Sequence, residues 1–325
     1  MIILAALTSA ALLFPQDVFR SDVNLVNVSF VVQDPKGALV KTLSQEDFQV
    51  LEDGVPQKIS FFARSLDVPL TLGLVVDASG SQSEFVKKHK RDLRDFLKTT
   101  IGPQDRVFLL CFGNNLRLVS DLTASADTII KNFDRFEDGD RDFPMVGPRE
   151  RRFLGTAFYD AIYHSVAGRL RLAEGGRKAL LVFSDGEDNS SAHNMMEAIE
   201  VAQEQNVPLF SLRYTKVEGD DLNARNKYGI SVMDRIALET GGAHFDAAKG
   251  RLAQQFSQIS EQLRSAYELA YHSSFPRDGS FRKIRIRPKE AGLVVRAKTG
   301  YYSRGDTPEK MRGEKDLAPS SGNLR

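Results

Sequence analysis

The sequence predicts an α/β protein in which a doubly wound, mostly parallel sheet is inserted into a small β-sandwich-like domain. Strands and helices alternate from about Pro69 to about Ser265, as in parallel sheets covered by helices on both faces. The flanking segments, Val23 to Ala63 and the chain after Tyr267, have strand patterns without helices between them. We therefore expect the N- and C-terminal strands to form one β-domain around the α/β domain. The predicted divisions are a signal peptide at 1–16, β-domain halves at 17–66 and 266–302, the α/β domain at 67–265 and a disordered tail at 303–325.

The composition is that of a soluble globular protein. The 325 residues leave room for two domains, and 42% hydrophobic with 27% charged residues is ordinary. Lys and Arg number 44 against 43 Asp and Glu, so bulk charge predicts no nucleic-acid partner. After the N-terminus no apolar run is long enough for a permanent membrane span. The single cysteine, Cys111, lies in an apolar strand and is expected to be a small buried hydrophobe.

The first sixteen residues are apolar and resemble the apolar region of a secretory signal peptide. The positively charged segment that usually precedes such a region is missing, so either the true start lies upstream or this segment is a buried strand. We favour an export signal, and therefore expect a periplasmic or extracellular protein.

The flanking segments contain six predicted strands. A turn from Glu52 to Pro56 is expected between the second and the third. The strands are Val23–Val32, Phe48–Leu51, Ile59–Phe62, Tyr267–Tyr271, Arg282–Ile286 and Leu293–Ala297.

The α/β segment opens with Thr71–Val76, a continuous apolar run typical of a strand buried on both faces. Further strands are predicted at Arg106–Phe112, at its hairpin partner Leu116–Ser120, and at Ala179–Phe183 and Pro208–Leu212. Apolar residues at helical spacing predict helices at Ser83–Lys98, Ala126–Phe136, Ala157–Leu172, Asn194–Gln205, Val232–Thr240 and Leu252–Ser265.

Three oxygen-bearing side chains, Asp77, Ser79 and Ser81, follow the first of these strands in the pattern Asp-x-Ser-x-Ser. Ligands of open α/β sheets bind beyond the carboxyl ends of the strands, so a ligand site is expected here. Ser81 has a second interpretation, because Ser81 and Glu84 fit a capping box at the start of the next helix. That interpretation does not explain Asp77 or Ser79.

Two further loops are predicted at the same edge of the sheet. Thr156 opens a helix and, taken alone, is an N-cap. Asp185 ends the strand Ala179–Phe183 and, taken alone, is a turn residue. They matter because they are predicted at the same edge as the Asp77–Ser81 loop. The three loops together supply two carboxylates and three hydroxyls.

The five residues Asp77, Ser79, Ser81, Thr156 and Asp185 resemble, in type and order, the metal-ion-dependent adhesion site of von Willebrand factor A domains. The resemblance covers about Pro69 to Ser265 and implies a Rossmann-like fold. The flanking segments resemble a bacterial family of exported proteins with a related domain, through stretches such as Leu43–Phe48 and Lys298–Tyr302.

The resemblance implies a divalent cation, Mg²⁺ or alternatively Mn²⁺ or Ca²⁺, since these ions prefer oxygen ligands. It implies that Ser79, Ser81 and at times Thr156 contact the ion, while Asp77 and Asp185 act largely through water. The expected function is capture of a protein partner through an Asp or Glu carboxylate. The sequence leaves the partner's identity and the oligomeric state open.

Two other function classes compete with this expectation. A metal-dependent hydrolase, such as a phosphatase of the haloacid dehalogenase type, needs a second Asp two residues after the first, where this chain has Ser79. A structural domain that does not use its metal is the other alternative. We predict a non-enzymatic module.

Several polar residues are expected to have no role in the site. Glu187 and Asp188 are interpreted as a solvated acidic turn, and His89 as a residue at the core boundary. Arg149, Arg151 and Arg152 are interpreted as a solvated loop. The remaining histidines lack the spacing of a sequence-level metal motif.

Overall fold

Seven strands form a central sheet, described here by a computed structural model of residues 24–64, 68–147, 155–215, 223–247 and 252–304. Its strands are β5 Leu70–Asp77, β6 Arg106–Phe112, β7 Leu116–Thr123, β8 Met145–Val146, β9 Arg177–Ser184, β10 Leu209–Arg213 and β11 Ala243–Asp246. The spatial order is β11-β10-β9-β5-β6-β7-β8, with the first five parallel and β7 and β8 antiparallel to their neighbours. The predicted mostly parallel sheet is confirmed.

Helices cover both faces of this sheet, and every residue of β5 is buried. Buried strands of parallel sheets read as continuous apolar runs for this reason. The helices are α1 Val86–Thr100, α2 Ala126–Glu137, α3 Phe158–Ser165, α4 Met195–Glu204, α5 Ala224–Thr240 and α6 Leu252–Arg264. Cys111 is buried in β6, as expected.

The remaining strands are β1 Leu25–Gln33, β2 Phe48–Glu52, β3 Val55–Gln57, β4 Ile59–Arg64, β12 Tyr267–His272, β13 Phe281–Pro288, β14 Val294–Ala297 and β15 Gly300–Tyr302. They form two four-stranded antiparallel sheets, ordered β14-β1-β12-β4 and β15-β13-β2-β3. Aromatic rings of both sheets meet in one core, with Phe30 edge-on to Phe48 at 5.1 Å and stacked on Tyr267 at 5.4 Å. Each sheet combines strands from before and after the α/β segment, as predicted for an insertion.

The turn predicted from Glu52 to Pro56 is wrong in extent, because β3 starts at Val55 and pairs with Glu52. The turn is Asp53-Gly54, and both residues have positive φ, 47° and 86°. Two positive φ values characterise the tight hairpin turn whose twist matches that of the flanking strands.

Several helix bounds differ from their predictions. The helix predicted from Ser83 begins as a 3-10 turn at Gly80–Phe85, and α1 follows it. The helix predicted to reach Leu172 passes after α3 into a wider π turn at Val166–Leu170. α5 begins at Ala224, eight residues before the predicted Val232, with Asn223 accepting from the amide of Asn226. That first part of α5 is polar, so hydrophobic periodicity gave no signal for it.

The predicted signal peptide lies outside the described residues, and so does the predicted tail from residue 305 onward. The predicted domain limits stay a prediction. None of the helices within the described ranges combines the length and the apolar character required to cross a membrane.

Candidate metal centre

The centre lies where β5 and β9 end side by side. The two strands are parallel neighbours, with Val76 opposite Phe183. Asp77 is the last residue of β5, and Ser184 is the last residue of β9. The pairing therefore brings together two loops that are separated by more than a hundred residues in sequence.

Asp77 is fully buried and shapes the turn that follows it. One of its carboxylate oxygens accepts a hydrogen bond from the Ser184 hydroxyl at 2.6 Å. The other accepts from the backbone amide of Ser79 at 3.0 Å. Asp77 thereby holds Ser79 in place and connects the ends of both strands.

Three side chains at this edge form a chain of oxygens. The hydroxyls of Ser79 and Ser81 are 3.1 Å apart, and the Ser81 hydroxyl donates to the carboxylate of Asp185 at 3.2 Å. Mg²⁺ binds six oxygens at about 2.1 Å, so adjacent ligands of its octahedron are about 3.0 Å apart. The spacing of these three oxygens fits that arrangement.

The electrostatics of Asp77 also fit a cation. Burial raises the pKa of Asp77 to about 7, and the charge of Asp185 contributes in the same direction. Desolvation and a neighbouring like charge both disfavour the ionised carboxylate. A cation between the two carboxylates would oppose both effects.

Ser81 does not cap a helix, so the capping-box interpretation with Glu84 is wrong. The N-cap of the 3-10 turn is Ser79, and the α-helix begins only at Val86. The Ser81 hydroxyl is instead directed at Asp185.

Gln82 supports the centre, although its sequence position did not predict this. Its amide donates to the Asp185 carboxylate at 2.8 Å and to the carbonyl of Tyr214 at 3.2 Å. The side chain is buried because the 3-10 turn directs it inward. No sequence pattern indicated this role, since a Gln next to a predicted N-cap is ordinary.

Thr156 reaches the same edge through its backbone. Its amide donates to the Asn189 side chain at 2.7 Å, and its carbonyl accepts from the amides of Asn189 and Ser190. The next amide, of Ala157, donates to the carbonyl of Gly113, whose backbone packs against Ser79. Thr156 is buried here, but the hydrogen bonds that join the other four predicted ligands do not include it.

The N-cap interpretation of Thr156 is wrong, because the N-cap of α3 is Ala157. The first amides of α3 are capped instead by Asp188, which lies in the loop after β9. Its carboxylate accepts from the amide of Phe158 at 2.8 Å and from that of Tyr159 at 3.3 Å.

The solvated-turn interpretation of Glu187 and Asp188 is therefore also wrong. Burial raises the pKa of Asp188, while Glu187 forms an ion pair with Arg225 at the start of α5. The three arginines of the loop 148–154 lie outside the described residues.

Comparison with known proteins gives one family match. The von Willebrand factor type A domain model matches residues 72–258, more than half of the chain. A search of curated proteins finds no match.

The chain is also similar to solved structures at low identity. It is 16% identical to an aerotolerance-related membrane protein from Bacteroides fragilis, with 60% of this chain and 98% of that chain covered and a TM-score of 0.44. It is 17% identical to BatB from Bacteroides thetaiotaomicron, with 60% of this chain and 100% of that chain covered and a TM-score of 0.43. It is 11% identical to the vWF domain of the type V pili tip protein Mfa5 from Porphyromonas gingivalis, with 60% of this chain and 94% of that chain covered and a TM-score of 0.41. The extent of the family match carries the conclusion, which is that this chain belongs to the von Willebrand factor type A domain family.

Proposed function

We propose that the protein is a divalent-cation-dependent binding module, with Mg²⁺ held by Asp77, Ser79, Ser81, Thr156 and Asp185. The observation that carries the proposal is the 3.1 Å and 3.2 Å spacing of the Ser79, Ser81 and Asp185 oxygens. Mn²⁺ or Ca²⁺ would find the same oxygen ligands. A bound cation supplies an electrophilic position for one more anionic oxygen, which a partner's Asp or Glu carboxylate fills.

The residues around the centre hold its ligands in place. Asp77 fixes the turn that carries Ser79, and Ser184 fixes Asp77. Gln82 orients Asp185. These hydrogen bonds position the carboxylates of Asp77 and Asp185, while the hydroxyls of Ser79 and Ser81 bond each other.

The surface beside the centre carries three carboxylates, of Glu84, Asp185 and Glu187, and one cation, Arg225, that a partner could contact. An open cleft of about 400 Å³ borders Ser81 and Asp185. Arg225 lines it with its side chain 66% exposed, paired to the largely buried Glu187. A partner carboxylate entering the cleft would meet a guanidinium that can reorient toward it.

Thermal stability with and without Mg²⁺ tests the metal site. A cation that binds only the folded protein stabilises it by about 2.7 kcal/mol at 100 times its Kd. We expect Mg²⁺ or Mn²⁺ to raise the Tm of the wild type and to have no effect on Ser81→Ala or Asp77→Ala.

Ser83→Ala is the matched control, because the Ser83 hydroxyl lies in the same turn but donates to the backbone carbonyl of Gly80 and not to a residue of the centre. It should keep the full metal-dependent shift. If the Tm of the wild type does not change with the metal, the proposal is wrong and the alternative of a structural domain that does not use its metal is favoured.

Partner capture is tested by retention of native-host proteins on the immobilised chain in Mg²⁺ and in EDTA. A partner should be released by EDTA, and Ser81→Ala should not retain it. Replacing the partner's contacting Asp or Glu by Asn or Gln should abolish binding. Retention that is indifferent to both metal and Ser81 would contradict the proposal.

We propose no catalytic role for this centre. A phosphatase of the haloacid dehalogenase type would need a carboxylic acid at the position of Ser79. This chain has a serine there, and its hydroxyl lies next to that of Ser81. Metal-dependent turnover of a phosphate ester, lost in Asp77→Ala, would favour the enzyme alternative.

We further propose that the chain is exported, on the basis of its apolar first sixteen residues. Fractionation of the native host should place the mature chain outside the cytoplasm, with its N-terminus downstream of Met1.

A further inference from the structure

A second cluster of metal-ligand side chains lies on α3 and on the loop before α4. Asp160 and His164 are one helical turn apart on α3, and His193 directly precedes the N-cap of α4. One potential ligand atom from each lies within 4.8 Å of the other two. The spacing in sequence gave no metal motif, because the third member comes from a different element.

The cluster is held in shape by its surroundings. Asp160 is fully buried and accepts hydrogen bonds from the backbone amides of Ala192 and His193. The ring of Tyr163 stacks on that of His193 at 3.7 Å with an interplanar angle of 15°. The position of His193 is therefore set by two residues of α3, Asp160 and Tyr163.

The approach of the three groups is close enough for coordination. The Asp160 carboxylate is 2.7 Å from Nδ1 of His193, and the rings of His164 and His193 are 5.3 Å apart at 82°. Tetrahedral Zn²⁺ with bonds of about 2.0 Å has ligand atoms about 3.3 Å apart. The three ligand atoms lie within 4.8 Å of one another, so coordination requires each distance to adjust to about 3.3 Å.

We propose that Asp160, His164 and His193 form a second metal site, which takes Zn²⁺ or a similar transition-metal ion. Two imidazole nitrogens and one carboxylate oxygen suit Zn²⁺, whereas Mg²⁺ prefers oxygen ligands alone. The ion replaces the proton between Asp160 and His193, since a ligating nitrogen must be unprotonated. The side chain of His193 is 23% exposed, which gives solvent access for the ion and for a water as the fourth ligand.

The site would connect the two loops that lead from the first centre. Thr156 is four residues before Asp160, and Asp185 is eight residues before His193. The segments are already linked where Thr156 bonds Asn189. Zn²⁺ would add a bond between them that is stronger than the existing hydrogen bonds.

The test is Zn²⁺ titration of the tag-free, chelator-treated full chain by calorimetry, with visible absorption of Co²⁺ as a second measurement. We expect one Zn²⁺ per chain in addition to any Zn²⁺ bound at the first centre, which Ser81→Ala would remove. Co²⁺ should give the absorption spectrum of a tetrahedral site. His193→Gln and His164→Ala should each lose both signals. His272→Ala, which changes an exposed histidine outside the cluster, should keep them.

The outcome is independent of the first centre. Ser81→Ala should lose the Mg²⁺ response and retain Zn²⁺ binding, while His193→Gln should do the opposite. Because His164 is buried, the more accessible His193→Gln decides the matter if His164→Ala does not fold. Absence of Zn²⁺ binding, or binding that survives His193→Gln, would show that the cluster is only a hydrogen-bonded support for the loop.

Discussion

At the scale of single residues, buried polar side chains connect the loops around the two candidate metal sites. Asp77, Gln82 and Asp160 are each almost fully buried, and each makes hydrogen bonds to a different loop. Burying such groups is unfavourable unless they are bonded, so their partners are largely determined once the fold forms.

His89 is a contrasting case, since it is buried among rings and not at the core boundary as predicted. It contacts Tyr214 edge-on at 4.3 Å, and neither of its ring nitrogens has a hydrogen-bond partner among the described residues. Burial lowers the pKa of His89 to about 3, with a smaller contribution from the charge of Lys88. The imidazole is therefore neutral in the folded protein at all but strongly acidic pH.

This histidine predicts a pH dependence of stability. Between pH 6.5 and about 3 the unfolded chain takes up a proton at His89 that the folded chain does not. Stability is therefore lost as pH falls through this window, by up to about 1.4 kcal/mol per pH unit. His89→Leu should flatten the dependence in urea unfolding between pH 7 and pH 4.5.

Phe85→Leu is the control, because it changes a neighbouring ring that does not titrate. It should lower stability and keep the slope of the wild type. An unchanged slope in His89→Leu would mean that other groups cause the acid sensitivity.

At the scale of elements, α3 depends on a cap from outside its own sequence. Its first amides bond the carboxylate of Asp188, and no side chain at its own N-cap does so. A carboxylate at this position satisfies free amides and interacts favourably with the helix dipole.

Asp188→Ala should therefore destabilise the protein by about 1–2 kcal/mol, as for other lost N-caps. Asp188→Asn keeps an acceptor and should lose less. Urea unfolding measures both, with Glu290→Ala as an exposed control that should stay within about 0.5 kcal/mol of the wild type. Equal stability of Asp188→Ala and wild type would contradict the capping role.

At the scale of the whole molecule, the α/β part and the antiparallel sheets are joined by buried side chains. Arg177, at the start of β9, donates to the carbonyls of Leu263 and Ala266 and pairs with Glu268 on β12. On the other side, Lys298 donates to the carbonyl of Gln203 at 2.9 Å. Arg177 therefore ties the start of β9 both to the end of α6 and to β12 of the antiparallel sheets.

Arg177→Ala should loosen this junction. Loss of hydrogen bonds made by a buried charged group costs about 1.5–3 kcal/mol. Hydrogen exchange should increase at the end of α6 and in β12 together. Arg169→Ala is the control, because it removes a surface ion pair in which Arg169 and Asp121 are 3.9 Å apart. It should change stability by less than about 1 kcal/mol. Faster exchange confined to β9 would argue against a shared junction.

Local pattern explains how much was predictable. The apolar run of β5 followed by Asp77, Ser79 and Ser81 indicated both the strand and the edge where the site lies, because strand spacing and turn chemistry are local. The polar start of α5 and the cap of α3 were not predictable in this way. Their stability comes from tertiary contacts, such as Gly229 against the backbone of Asp185.

The sequence by itself determined the class of fold, the positions of most strands and the five candidate ligands, since each follows from residue types at short spacing. Only the tertiary structure decided that Ser81 faces Asp185, that Gln82 and Asp188 support the loops, and that His193 meets Asp160. These pairs are 30 to 104 residues apart along the chain. Their contacts follow from the parallel pairing of strands and the packing of helices, which bring together side chains that no local pattern connects.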